Sequence, residues 1–590
     1  MKEIFKQIVP EKLKYIESYI KSQNAADGSK VDANANVNNK NVATLNGELY
    51  KDLNIQLKRS IIYDEIKTLF DEDLAREYIR QIEEHEIYCH DESALNLPYC
   101  ASITLYPLLL EGVRGLGGES KKPEHLESFC GSFVNLIFAL SSQFAGAIGV
   151  PEFLSYFDKF ARKDYGENYL TSHKKVIENN LQHVIYAINQ PAAARNFQSV
   201  FLNISIFDET YFKSLFKDFV FPDGEKMNWE SVKKLQVFFM KWMNKEREKA
   251  ILTFPVVTAS FINDGKEAID LDFKKFLAEE ISEGNSFFIY LSDSVDSLSS
   301  CCRLKNELND NTFSYSLGAG GISTGSINVI TINFNKLIQK GINLEDQIEK
   351  IHKYQIAFKS WIKKLIGKKM LPAYEAGYIN IEKQFLTIGI NGLVEAAEFL
   401  GFEISNNEKY KKWIKQNLKI IYDKNKEGKK KYKTMFNTEF VPAENLGVKF
   451  AKWNKKEGIK SNRDCYNSYF YKVEDSQIQI PDKFELHGAE INRYLDGGSA
   501  LHLNLESYPT AKSAEKIIDI AIKSGCNYFC TNVKITICKD CGYINKNTEN
   551  YCVKCNSKNI THATRIIGYL KEIDAWTSER QIEEKMRFYN

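Results

Sequence analysis

Four cysteines near the C-terminus, Cys538, Cys541, Cys552 and Cys555, are spaced C-x2-C, ten residues, C-x2-C. Two such knuckles close four thiolates around one tetrahedral ion and leave no open coordination position. The chemistry expected is a structural zinc site, favoured over an iron–sulfur centre. A closed site fixes geometry rather than catalysing. Thirteen residues beyond the last ligand lies Gly568, inside "THATRIIGYLKE" (561–572). In isolation a glycine within an apolar run reads as a turn residue, because glycine takes positive φ without steric cost.

A second group is "SLSSCCRLKNEL", where Cys301, Cys302 and Arg303 follow an expected strand. Two readings stand side by side: a buried cysteine pair beside a surface arginine, or a thiol at a loop tip in a cleft. Just downstream, "SLGAGGISTGSINVITINF" carries Gly318, Gly320, Gly321 and Gly325. These permit tight turns or close approach of backbone to a ligand. The stretch is not a P-loop, since no Gly-Lys-Ser/Thr follows. A third group, "CHDESALNLPYC" (89–100), places His90 and Cys100 ahead of an apolar run. Alone, His90 reads as a structural hydrogen-bonding histidine and Cys100 as a core cysteine.

These groups need a large scaffold, and 590 residues supply one. The composition is globular, 43% hydrophobic and 13% aromatic. A net charge of +2 gives no general pull toward nucleic acid or membrane. The lysine-rich 424–433 segment reads as a solvated loop. The charged N-terminus lacks the apolar core of a secretory signal. Residues 128–151 carry no charge, but Ser128, Ser132, Asn135 and Ser142 lie near one helical face, as in a buried or interface helix. Twelve cysteines without an export signal favour metal or redox roles over structural disulfides, and the expected location is cytoplasmic.

Helical spacing is expected over 1–22 and 45–88, with a loop over 23–44. Buried strands are expected at 251–260, 286–293, 328–334, 386–392 and 500–506, and helices at 342–367 and 513–525. Strands alternating with helices argue for an α/β layout with parallel pairing, whose chemistry sits in loops at strand ends.

Taken in order, "DANANV" (32–37), "HDESALNLPYC" (90–100), "TFPVVT" (253–258), "SCCRL" (300–304), "GSINVITINF" (325–334), "GGSALHLNL" (497–505), the four-cysteine knuckle and "RIIGYL" (565–570) resemble the anaerobic (class III) ribonucleoside-triphosphate reductases, which are glycyl-radical enzymes. The resemblance implies oxygen-sensitive reduction of ribonucleoside triphosphates to deoxyribonucleoside triphosphates. Gly568 would store a Cα radical, stabilised between an electron-donating amide nitrogen and an electron-withdrawing carbonyl. An activase carrying a 4Fe-4S cluster and using S-adenosylmethionine would install it. Cys302, immediately before Arg303, would form the thiyl that removes the ribose 3′-hydrogen. Cys100 would be the second active-site thiol on the opposite face of the sugar, and Cys301 is available as a third.

The implied fold is a ten-stranded α/β barrel, with the loop of Cys302 entering from one side and that of Gly568 from the other. The implied division is a helical segment (1–90), the barrel (91–530), the knuckle (531–560) and the glycyl-radical loop with its tail (561–590). The implied assembly is a homodimer with a specificity site for deoxynucleotide or ATP effectors, to which the uncharged 128–150 helix would belong. Three departures mark this chain. Only about thirty residues precede the "DANANV" segment, so the nucleotide-binding cone of many members is expected to be absent. Formate-using members tend to carry Met-Gly where this chain has Ser300 and Cys301, and Asn where it has Ser326. The reductant is therefore either formate or a thioredoxin- or glutaredoxin-like protein. Ile567 precedes the glycine, a position where variation is expected. Competing readings are a pyruvate formate-lyase type of glycyl-radical enzyme and a zinc-ribbon interaction protein.

Overall fold

Ten strands close into a barrel, and the chain order of those strands explains how. The computed structural model describes residues 2–29, 40–116, 118–192, 198–293, 297–300, 304–307, 324–440, 445–566 and 568–590, with backbone alone at 2–8, 297–300 and 304–307. The first five barrel strands are β1 (Cys100–Ser102), β2 (Ile148–Gly149), β3 (Leu202–Phe207), β4 (Val256–Ile262) and β5 (Phe288–Ser292), each parallel to the next. The second five are β6 (Thr324–Asn333), β7 (Gln384–Asn391), β8 (Met435–Phe440), β9 (Gly498–Ser499 and Leu501–Leu505, interrupted at Ala500) and β10 (Tyr528–Val533), again all parallel.

The two halves meet antiparallel at two seams, β1 with β6 and β5 with β10. The break at Ala500 closes the ring. The residues before it pair with β8, and those after it pair with β10. The strand Ile87–Cys89 adds to β6 outside the ring. Barrel strands such as β4, β6 and β7 are buried along their whole length, as expected for parallel strands covered on both faces.

The expected strands at 286–293, 328–334, 386–392 and 500–506 coincide with β5, β6, β7 and β9. That at 251–260 begins later, at Val256. The expected helices are Leu344–Gly367 and Ala511–Ser524. Asn343 and Thr510 cap them, accepting from the amides of Asp346 and Ser513. Helices Lys2–Lys21, Val42–Leu69 and Glu72–Glu83 precede the barrel. The turn after the first of these reaches the far end of the chain. Asn24 Nδ2 donates to the carbonyls of Asp574 and Trp576, each at 2.8 Å, and Asp27 accepts from the amide and hydroxyl of Ser578. The 32–37 segment lies outside the described residues.

Two expectations are corrected. Residues 424–432 are not a loop but the last turns of helix Glu408–Tyr432. Its buried face runs Ile414, Leu418, Ile421, Asn425, Gly428, so the apolar period continues through two loop-like residues. Asn425 is a packing residue that accepts from His352 Nε2 at 2.9 Å and donates to Thr438 Oγ1 at 2.8 Å. Gly428 makes room for the His352 ring, which would lie 2.8 Å from an added Cβ. The uncharged 128–151 stretch is likewise not one helix. Helix Leu126–Ser141 ends before β2, and Ser128 and Asn135 line its exposed stripe. Among the described residues no helix is long and apolar enough to cross a membrane.

Candidate active site and metal centre

The four cysteines of the knuckle sit on a small antiparallel sheet, β11 (Ile535–Cys538), β12 (Ile544–Asn545), β13 (Ile560–Arg565) and β14 (Leu570–Glu572), ordered β12-β11-β13-β14. Their sulfurs all lie within 4.8 Å of one another. Cys538 Sγ is 3.6 Å from Cys555 Sγ, and Cys541 Sγ is 3.6 Å from Cys552 Sγ. A zinc ion about 2.3 Å from each of four sulfurs spaces them by about 3.8 Å. The donor set therefore fits a tetrahedral metal such as zinc.

The same sheet carries Gly568. In the β13–β14 hairpin Arg565 pairs with Leu570, so Ile566, Gly568 and Tyr569 lie in its loop. Cys538 at the end of β11 pairs with Ile560 at the start of β13. The metal knuckle and the glycine loop are thus opposite ends of one strand. Ile567 lies outside the described residues; Gly568 is buried.

Buried guanidiniums hold the backbone of this loop. Arg565 Nη1 donates to the Gly568 carbonyl at 2.7 Å, Arg580 Nη2 to that of Ile566 at 3.1 Å, and Arg587 Nη1 to that of Arg565 at 2.9 Å. Arg580 and Arg587 come from the final helix, Ser578–Met586, and its C-cap. Glu583 lies between the two, 3.3 Å from Arg580 Nε and with a two-pronged contact to Arg587 at 3.0 Å for each prong. Arg580 Nη1 also lies 3.1 Å from Cys465 Sγ, whose thiol burial pushes up to about 11.

Arg565 further donates to Ser286 Oγ at 2.7 Å and stacks over Phe288, the first residue of β5, at 4.5 Å. Arg247 donates to the Ser286 carbonyl at 2.9 Å, and burial with the nearby Arg565 charge lowers its guanidinium to about 10. Asn532 on β10 accepts from the Thr564 hydroxyl and the Arg565 amide. The loop is therefore fastened to the barrel at the seam of β5 and β10.

Cys100 opens β1 and is 5% exposed. Its sulfur accepts from the Ala147 amide at 3.2 Å. Two glycines make room for it. An added Cβ on Gly146 would lie 2.5 Å from Cys100 Sγ, and one on Gly325, at φ +148°, would lie 2.3 Å from Cys100 O. Gly325 thus serves a close strand approach. Gly318, Gly320 and Gly321 lie outside the described residues. His90 Nε2 is hydrogen-bonded to Thr331 Oγ1 at 2.8 Å, the structural role expected of it.

Phe201 connects the two regions. It packs against the Cys100–Ala147 cluster and meets Tyr569, the neighbour of Gly568, edge to face at 5.5 Å. Tyr569 also meets Phe254 at 5.6 Å.

Cys301, Cys302 and Arg303 lie outside the described residues. Their flanks do not: Ser297–Ser300 and Leu304–Glu307 pair as an antiparallel hairpin in register Ser300↔Leu304. This hairpin leaves the C-terminal end of β5 and lies against β3, β4, β5 and β6. The Gly568 loop meets the opposite, N-terminal ends of β3, β4 and β5.

Reading motifs missed the arginine clip. The available signal was Arg580, Glu583 and Arg587 at helical spacing, one face of the last helix. Phe201 carried no signal, because a lone aromatic before a strand is ordinary core.

The family model for anaerobic ribonucleoside-triphosphate reductase matches residues 49–589. A solved anaerobic ribonucleotide reductase superposes with TM-score 0.87 at 26% identity, covering 100% of this chain and 95% of its own. The anaerobic ribonucleotide reductase from Thermotoga maritima, in complex with dATP and CTP, gives 0.82 at 26% identity, covering 99% of each chain. Hydroxyproline dehydratase from Clostridioides difficile, at 12% identity and TM-score 0.50, shares the fold alone. No curated protein matches the sequence. These matches do not favour the pyruvate formate-lyase alternative.

Proposed function

The chain belongs to the anaerobic ribonucleoside-triphosphate reductase family, and on that premise we propose the roles of its individual residues. It is an oxidoreductase that reduces ribonucleoside triphosphates to deoxyribonucleoside triphosphates by glycyl-radical chemistry. Gly568 is the radical store, Cys302 the thiyl-forming cysteine, Cys100 the second active-site thiol and Cys301 an additional thiol beside it. The division at 1–90, 91–530, 531–560 and 561–590 belongs to the same reading. What supports it most is Phe201, one ring in contact with both the Cys100 cluster and Tyr569 beside Gly568.

The chemistry places distinct demands on these residues. A radical at Gly568 takes a hydrogen atom from the Cys302 thiol, and the thiyl takes the 3′-hydrogen of the ribose. Loss of the 2′-hydroxyl as water needs a proton, which the Cys100 thiol supplies. Two electrons and two protons complete the reduction: formate, released as carbon dioxide, gives both electrons and one proton with the second proton from solvent, or a dithiol, released as a disulfide, gives all of them. The closed barrel keeps water and stray hydrogen donors from these intermediates.

Cys538, Cys541, Cys552 and Cys555 would hold zinc, which braces the hairpin that carries Gly568. The activase using S-adenosylmethionine is a separate protein in this reading. The T. maritima enzyme, whose structures carry dATP in a specificity site and CTP, supports deoxynucleotide effectors and triphosphate substrates here. A homodimer is the assembly this reading adopts from the family resemblance.

The test is turnover and radical content measured together. Cys100→Ser and Cys302→Ser should each keep the radical at Gly568 after activation and reduce no ribonucleotide. Turnover at more than a tenth of the wild-type rate in either variant removes that cysteine from the mechanism.

A further inference from the structure

The inner wall of the barrel carries polar groups that the protein leaves unsatisfied. Strand alternation identifies the inward side chains. On β1, Ser102 shares a face with Cys100. Beyond Phe201, Asn203 and Ser205 share its face, and Asn203 Nδ2 donates across to Thr258 Oγ1 at 3.1 Å, placing Thr258 and Ser260 on it too. On β8, the neighbours of Asn437 point outward: the Phe436 ring meets His352, and Thr438 bonds Asn425, both on outer helices. Asn437 therefore points inward.

Among the described residues, the hydroxyls of Ser102, Ser205 and Ser260, Oδ1 of Asn203 and both amide atoms of Asn437 lack hydrogen-bond partners. Asn437 is 0% exposed. A buried donor or acceptor left without a partner destabilises the fold. Asn437 leaves one of each, side by side.

Its position is set by register. Cys100 lies opposite Ser326 across the β1–β6 seam. Ser326 Oγ is 2.8 Å from Thr387 Oγ1. Thr387 lies opposite Asn437. Ser326 itself lies opposite Phe385, so the β6–β7 step is a diagonal of two residues; with that step, one inward path crosses four adjacent strands: thiol, hydroxyl, hydroxyl, carboxamide. The two hydroxyls are engaged with each other, and Ser326 also donates to the Asn328 carbonyl at 3.1 Å. Asn437 is the member of the path with its donor and acceptor open. It stands three strand spacings and one two-residue step from Cys100, about 16 Å along the wall. On a closed wall, side chains that far apart approach the interior from different directions, so one sugar can meet the thiol on one edge and the carboxamide on another.

We infer that the Asn437 carboxamide is a ribose-binding group of the substrate site, pairing with the vicinal 2′- and 3′-hydroxyls, one through Nδ2–H and the other through Oδ1. A carboxamide offers a donor and an acceptor at the spacing of such a diol. The inference rests on the ribonucleotide-reducing role of the barrel, and it concerns a residue that no motif pointed to.

A structural role and a substrate role predict opposite stability effects. Asn437→Leu removes both unsatisfied atoms at similar volume. Its urea midpoint should equal or exceed that of the wild type, while the KM for CTP rises at least tenfold. Inhibition by 3′-deoxy-CTP, which lacks one of the paired hydroxyls, should change by less than threefold. Asn437→Ser, read in the same way, keeps the test open if the leucine variant fails to fold. An unchanged KM means that Asn437 pairs with buried water only and overturns the inference. So does an equal loss for CTP and 3′-deoxy-CTP together with a lowered urea midpoint. A wild-type enzyme that neither binds nor reduces any ribonucleoside triphosphate defeats the underlying reading instead.

Discussion

Arg565 Nη1 donates to the carbonyl oxygen of Gly568 at 2.7 Å, across the loop whose stem Arg565 closes. A charge-assisted bond to that carbonyl draws electron density from the atom adjoining the glycine Cα. It also fixes the loop, because the same guanidinium reaches Ser286 on the barrel. Arg565 is thus both the electronic neighbour of Gly568 and its mechanical tie.

Arg565→Lys should separate these duties. A lysine ammonium keeps the charge but cannot span Gly568 O and Ser286 Oγ with one planar fork. Spin counting after activation should show the radical yield reduced at least tenfold, with the folded protein intact by circular dichroism. An unchanged yield would reduce the Arg565 contact to packing.

Arg587 tests the clip from the other side. Its side chain is 1% exposed, and its guanidinium pairs with Glu583 while donating to the Arg565 carbonyl. Arg587→Met leaves Glu583 with Arg580 alone and strips one loop carbonyl of its donor. Breaking a buried pair costs about 3–5 kcal/mol. Urea unfolding should register a loss of that order, and proteolysis should cut first in the last thirty residues.

Metal removal should act locally. β11 and β13 share backbone pairing from Cys538↔Ile560 to Ile535↔Ala563, so losing the ion loosens the strand that ends at Arg565. Chelation, or Cys541→Ser, should abolish radical formation while CTP still raises the melting temperature of the barrel. Full radical yield without metal would make the knuckle dispensable for the glycine loop.

Glu395 offers a pH test. Burial raises its carboxyl to about 7, against the nearby Arg463 charge and the Asn467 amide that favour ionisation. Its folded pKa lies above the unfolded value of about 4.5. Between those values the folded state holds the extra proton, so its contribution to stability falls as pH rises from about 4.5 to 7, then stays level. Glu395→Gln removes this dependence. Urea midpoints should show the variant gaining on the wild type from pH 5 to 7 and holding that gain at pH 8. A constant difference across the range would contradict the assignment.

Local spacing made the knuckle readable, because two C-x2-C pairs need only a short hairpin to converge. Five barrel strands, β4, β5, β6, β7 and β9, were readable as apolar runs, whereas β1 and β2 are too short to show a pattern and β3, β8 and β10 went unread. What escaped was set by tertiary context. The ring closes at Ala500, a residue with no distinguishing chemistry. The 424–433 segment read as a solvated loop from its lysines, yet Asn425 and Gly428 pack against His352 on the buried face of a helix. Arg580 and Arg587 belong to no motif, and only the packing of the final helix against the Gly568 loop gives them a role. Asn437 became notable only when both strand neighbours proved to face outward.

The most direct measurement is anaerobic electron paramagnetic resonance after activation with a competent activase, S-adenosylmethionine and a reductant, on wild type and Gly568→Ala. A doublet from a single α-hydrogen in the wild type, absent from the variant, is the predicted result. A metal-loaded wild type that gives no doublet, with the same activase active on a control protein, or a doublet that survives Gly568→Ala, would contradict the account.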